Sequence, residues 1–156
     1  MFSRFVKKNL LRYVVTNVLI NFFIPYFTLK NLSAVYLFKG ENCFARFLLP
    51  MAFFLPLVIT FDILKRFFSL CNEGETRFSL PDNFTKKKNW LSMASVNALI
   101  TLAIILGCMF LLQCSMGKDY TYNGPLLCFL LGTLAGIISI VFTLLPLKIY
   151  LKQMGH

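Results

Sequence analysis

Acidic side chains are scarce in this sequence: six Asp and Glu stand against sixteen Lys and Arg, and histidine occurs once, as the terminal His156. A single imidazole at the chain end leaves zinc sites, haem sites and Cys-His nucleophilic pairs without their usual donors. The five cysteines, Cys43, Cys71, Cys108, Cys114 and Cys128, form no CxxC pair. Free, buried thiols are the expectation for them. One disulfide among Cys43, Cys114 and Cys128 is the alternative. A Gly-rich phosphate loop, a pair of carboxylates and an assembling Ser-His-Asp set are all missing from the sequence, so it reads as a non-enzyme with no cofactor, no metal and no catalytic residue.

Charge of either sign is also sparse. Only 14% of residues are charged and 58% are apolar, whereas soluble domains carry about 25% and about 45 to 50%. Eighteen Phe among 156 residues and a mean hydropathy of +0.71 point the same way. So few polar side chains cannot cover that apolar surface in water, whereas lipid chains solvate it. The net charge of +10 does not indicate nucleic acid, because the basic residues sit at the ends of apolar runs. There they meet anionic headgroups, so lipids are the expected partners.

A membrane span needs roughly 20 apolar residues. Four segments qualify: Tyr13 to Leu29, Phe47 to Leu64, Trp90 to Cys114 and Pro125 to Leu147. The first, behind Arg4, Lys7, Lys8 and Arg12, resembles a signal peptide, but at its end Leu32-Ser33-Ala34 puts a large residue where cleavage wants a small one. Twelve Lys and Arg flank the spans on the side of the termini and of the 65–88 loop, against Lys30, Lys39, Arg46 and Lys118 on the other. The positive-inside rule then places both termini in the cytoplasm. Tyr36, Tyr120 and Tyr122 are expected at the outer interface and Trp90 at the inner one. The expected fold is an all-α integral membrane protein of four transmembrane helices, a single domain over 1–156 in a plasma or inner membrane.

The chain also matches itself. At a shift of 80 residues, Lys7-Lys8-Asn9-Leu10-Leu11 meets Lys87-Lys88-Asn89-Trp90-Leu91, and Asn17-Val18-Leu19-Ile20 meets Asn97-Ala98-Leu99-Ile100. At a shift of 83, Val58-Ile59-Thr60 and Leu64-Lys65 meet Val141-Phe142-Thr143 and Leu147-Lys148. Apolar bias alone does not generate the matched polar residues. The expectation is a tandem duplication of a two-helix unit, about 5–68 and 87–152, joined by a cytoplasmic loop at about 69–86. Units of two spans share one orientation, so their pseudo-twofold axis runs along the membrane normal.

Polar residues inside spans need partners. Asn17 and Asn21 share a helix face, as do their counterparts Asn97 and Thr101. They are read as a clasp pinning span one to span three, with a polar path or binding site as the alternative. Asp62 lies within a turn of Lys65 and Arg66, which suggests an interfacial salt bridge rather than an ion-coupling site. Pro25, Pro50, Pro56 and Pro146 are read as packing kinks rather than broken helices. Gly132, Ala135, Gly136, Ser139 and Thr143 form a small-residue stripe containing GxxxG. It suits close packing against span two or another copy. Glu73, Glu75 and Asp82 alternate with Arg77 and the Lys86-Lys87-Lys88 run in a solvated loop, where Phe67, Phe68, Phe78 and Phe84 suggest membrane-surface contact.

The functional expectation is a small transporter or channel subunit, working as a homo-oligomer or within a larger membrane complex. A non-transporting accessory or regulatory subunit is the alternative.

Overall fold

The computed structural model describes residues 2–29, 32–40, 43–72, 87–117 and 119–153. Expectations placed on Lys30, Lys118, His156 and the loop residues Glu73, Glu75, Arg77, Phe78, Asp82, Phe84 and Lys86 lie outside that set.

Four helices make up the fold: α1 (Phe2–Thr28), α2 (Ala45–Asn72), α3 (Lys87–Met116) and α4 (Gly124–Gln153). Each is long and apolar enough to cross a bilayer. The protein is therefore all-helical and multi-pass in character. The helices run further than the hydropathy pattern implies, at 27 to 30 residues or about 40 to 45 Å, against a hydrocarbon core of about 30 Å. The extra turns are the basic flanks. Lys and Arg are good helix formers, so the helix continues where the apolar run stops. This moves 69–72, expected in the central loop, into the last turn of α2. All four span prolines sit inside helices that continue through them.

Chain neighbours are not the main packing partners. α1 packs chiefly on α4, α3 on α2, and α2 meets α4 between them, while α1 and α2 touch at few positions. Burial follows from this order: 44% and 56% of the most apolar stretches of α2 and α4 are enclosed, against 6% and 11% in α1 and α3. A core of α2 and α4 thus carries one outer helix on each flank.

Both chain ends lie at one end of the bundle, where Phe5, Val6, Tyr150 and Leu151 pack into the same apolar cluster. Trp90 stacks on Phe68 there, ring centroids 4.8 Å apart and nearly parallel, and Tyr150 meets Phe68 edge-on. Trp90 is 7% exposed. It works as a packing element between α2, α3 and α4, more enclosed than an interfacial belt residue. Phe67 and Phe68 are fully buried in the same cluster, which corrects the reading of these two as membrane-surface contacts.

At the opposite end the two connecting segments cap the bundle together. Val35 and Tyr122 exchange backbone hydrogen bonds of 3.1 and 2.8 Å, and the Gly124 amide donates to the Leu32 carbonyl at 2.8 Å. A Cβ on Gly124 would lie 2.7 Å from that carbonyl oxygen, so only glycine fits this contact. Asn123 starts α4 by accepting from the Leu126 amide at 3.2 Å, as N-cap residues do. Tyr120 and Tyr122 are ring neighbours in this cap. Lys39 and Asp119 add an exposed 2.8 Å ion pair. That contact holds the Lys39 ammonium pKa above its ordinary value.

Candidate functional site

The polar residues singled out in the spans are not brought together as one group. Asn17 donates its amide to Ser139 Oγ of α4 at 2.9 Å, and Asn97 donates to Thr60 Oγ1 of α2 at 3.3 Å. The expected clasp between the first and third helices is therefore replaced by two clasps, each joining an outer helix to a central one. The reason lies in the packing order, since α1 and α3 stand on opposite flanks. Asn21 and Thr101 bond within their own helices, to the carbonyls of Asn17 and Asn97 at 2.8 Å each.

The GxxxG face also meets an unexpected partner. A Cβ on Gly132 would lie 3.2 Å from Phe22 Cβ and 3.3 Å from the Val18 carbonyl oxygen, and one on Gly136 would lie 2.9 Å from Val18 Cγ2. The face packs on α1, rather than on span two or another copy. Ser139 and Thr143 on the same stripe are fully buried, with hydroxyls bonded one turn back, to Ala135 at 2.7 Å and Ser139 at 2.6 Å.

Asp62 draws two residues to itself. Arg66 Nε donates to its Oδ2 at 2.8 Å, one helical turn away, and Tyr13 Oη donates to the same oxygen from α1 at 2.5 Å. Lys65 faces outward and is exposed. Tyr13 was not flagged by the sequence reading, yet it supplies a direct tie between α1 and α2. Its signal is spacing: Asn9, Tyr13, Asn17, Asn21 and Pro25 recur every four residues, as do Arg46, Pro50, Phe54, Val58, Asp62 and Arg66. Such spacing forms the ridges along which helices meet.

Those ridges border a crease between α1 and α2. Its deeper part is a cavity of about 440 Å³ from Tyr13 to Pro25 on α1 and from Arg46 to Ile59 on α2, with Leu131 of α4 behind. Its walls are mostly apolar, with Asn17 and Asn21 on one side. Pro25 and Pro50 have no N–H to give to the Asn21 and Arg46 carbonyls, so polar acceptors occur within an apolar wall. Nearer the termini lies a second cavity of about 320 Å³ lined by Lys8, Asn9, Arg12, Arg66 and Ser69. Lys8 and Arg12 were read from sequence only as topology signals.

No family model, curated protein or solved structure matches this chain. The crease and the clasps must therefore be interpreted from their own chemistry. Among the described residues no group of three His, Cys, Asp or Glu side chains is placed to hold a metal. All five cysteines are free: Cys71 and Cys128 are buried and Cys43 is half-buried, whereas Cys108 and Cys114 are exposed on α3, outside the buried setting expected of them.

Proposed function

We propose that this chain is a non-enzymatic, non-conducting accessory subunit of a membrane, built as a duplicated helix pair. The observation that carries the reading is the filled contact between each outer helix and its central neighbour, α1 with α4 and α3 with α2. Thr60, Ser139 and Thr143 are fully enclosed, and the Asn17 and Asn97 amides donate to Ser139 and Thr60 across these contacts. A conducting route along the pseudo-axis needs polar groups facing water, whereas these are buried or bonded between helices.

Duplication is supported by the exchange of partners. Swapping α1 with α3 and α2 with α4 turns the α1–α4 pairing into the α3–α2 pairing, and Asn17 and Asn97 each bond across one of these pairs. A shallow apolar hollow on α4 repeats the wall of the crease. Its Phe129, Leu130, Thr133, Leu134 and Ile137 stand 83 residues after Arg46, Phe47, Pro50, Met51 and Phe54. The Lys and Arg distribution supports both termini inside, in a plasma or inner membrane. The outer face of α3, with Leu99, Ile104, Phe110 and Leu111 exposed, is the surface on which another copy or a larger complex would attach.

One observation favours the transport reading instead: the 440 Å³ crease brings Asn17 and Asn21 to a space beside α1. Proteoliposomes distinguish the two. The accessory reading expects no ion or small-solute flux above protein-free vesicles, with Asn17→Leu and Asn97→Leu altering stability alone. Flux that disappears in those variants would establish transport.

A further inference from the structure

The crease between α1 and α2 has two chemically distinct compartments in series. At the termini end, Lys8, Arg12 and Arg66 border one pocket with Asn9 and Ser69. Among the described residues that line this pocket none is acidic, and Arg66 also donates to Asp62, which Tyr13 shares. Beyond the Tyr13–Asp62 bond the walls become mostly apolar, with Ile20, Ile24, Phe54 and Val58 among them, Asn17 and Asn21 on the α1 side and Arg46 at the far end.

Size and depth narrow the occupant. Twelve residues of helix from Tyr13 to Pro25 rise about 18 Å, slightly more than one leaflet of a hydrocarbon core about 30 Å thick. At about 30 Å³ per small heavy-atom group, the share of one liquid water, 440 Å³ holds roughly fifteen such groups. That is one acyl chain. A guanidinium pair and an ammonium at the mouth match phosphate oxygens in charge and donor geometry.

The second half of the chain provides a contrast. On the 80 and 83 residue registers, Lys8 and Ser69 become Lys88 and Lys152, whereas Arg12 and Arg66 become Ser92 and Ile149. The equivalent hollow on α4 is lined by apolar side chains and Thr133. The guanidinium pair belongs to the first half alone.

We infer that this crease binds one anionic phospholipid from the leaflet on the side of the chain termini. Its phosphate sits among Lys8, Arg12 and Arg66. One acyl chain passes the lipid-facing side of the Tyr13–Asp62 bond and occupies the apolar slot.

The test uses the full chain in detergent, titrated separately with dioleoyl phosphatidylglycerol and dioleoyl phosphatidylcholine, with bound lipid counted by native mass spectrometry. One phosphatidylglycerol is retained at concentrations where phosphatidylcholine is not. Lys8→Gln with Arg12→Gln weakens retention about 30-fold, as expected for losing two cations beside an anionic headgroup. Both side chains are exposed, so the fold is unaffected and the melting temperature without lipid stays constant. Val58→Trp, at a position 55% exposed, fills the slot and removes retention while leaving the cations intact. Should that variant fail to fold, the double Gln variant decides alone. Equal retention of the two lipids, or retention indifferent to the Gln substitutions, overturns the inference. So does full displacement by millimolar inorganic phosphate, which would mark an anion site without a chain slot, or a cross-link from the crease to a second copy.

Discussion

Replacing Gly136 with Ala tests the α1–α4 contact on which the bundle order depends. The added methyl would stand 2.9 Å from Val18 Cγ2. Valine in a helix keeps one strongly preferred rotamer, so relief must come from separating the helices rather than turning the side chain. Overpacking of this kind costs about 1 to 3 kcal/mol. In water some of that would be offset by the better helix propensity of Ala, up to about 1 kcal/mol. In a bilayer the helix is formed before it docks, so the offset largely disappears. Moving α1 away also stretches the 2.9 Å Asn17–Ser139 bond one turn along the same face, which places the expectation at about 2 kcal/mol. The assay is a double-mutant cycle in detergent micelles, measuring reversible unfolding of wild type, Gly136→Ala, Val18→Ala and the pair. Val18→Ala removes the opposing Cγ2, so the double variant should be more stable than the sum of the single losses by at least about 1 kcal/mol, within the range for residues in contact. A neutral Gly136→Ala, or additive losses, would refute the close approach of these helices.

Asn17→Leu should lower stability by about 0.6 to 1.7 kcal/mol, the span measured for interhelical bonds in membranes. Asn97→Leu should cost less in the same unfolding assay, because its 3.3 Å bond to Thr60 lies near the outer limit of useful geometry. Gly124→Val drives a side chain into the Leu32 backbone and should speed hydrogen exchange at the Val35 and Tyr122 amides; unchanged protection would contradict the shared cap. Asp119→Ala should leave the melting temperature unaltered, since both partners of the Lys39 pair are solvent-exposed and such pairs contribute little. A raised Lys39 pKa gives stability present below its unfolded value and lost as pH climbs through the folded one, so any effect of this substitution must appear at neutral pH and vanish in alkali.

The number and rough positions of the helices were legible because apolar runs of span length have few other uses. Helix ends were not, since Lys7, Lys8, Lys65 and Lys148 interrupt hydropathy without interrupting the helix. The salt bridge at Asp62 could be anticipated from its i, i+4 spacing to Arg66. Which helix would accept the Asn17 amide could not: hydrocarbon-facing and helix-facing residues are equally apolar, so pattern alone carries no adjacency. The same ambiguity hid the true neighbour of Gly132 and Gly136. Tyr13 escaped notice because a tyrosine near a basic flank looks like an interface anchor. Lys8 and Arg12 were absorbed into a charge count that has no geometry.

The exchanged pairing has a consequence for biosynthesis. Made before the other three helices, α1 finds only sparse contact with α2, and the hydroxyl that receives its Asn17 amide belongs to α4. Until α4 inserts, that amide has no Ser139 to meet, exposed to lipid and to any quality-control factor that recognises a lone polar group. Assembly closes from α4 back to α1, and a copy interrupted after α2 would lack the partner α1 requires.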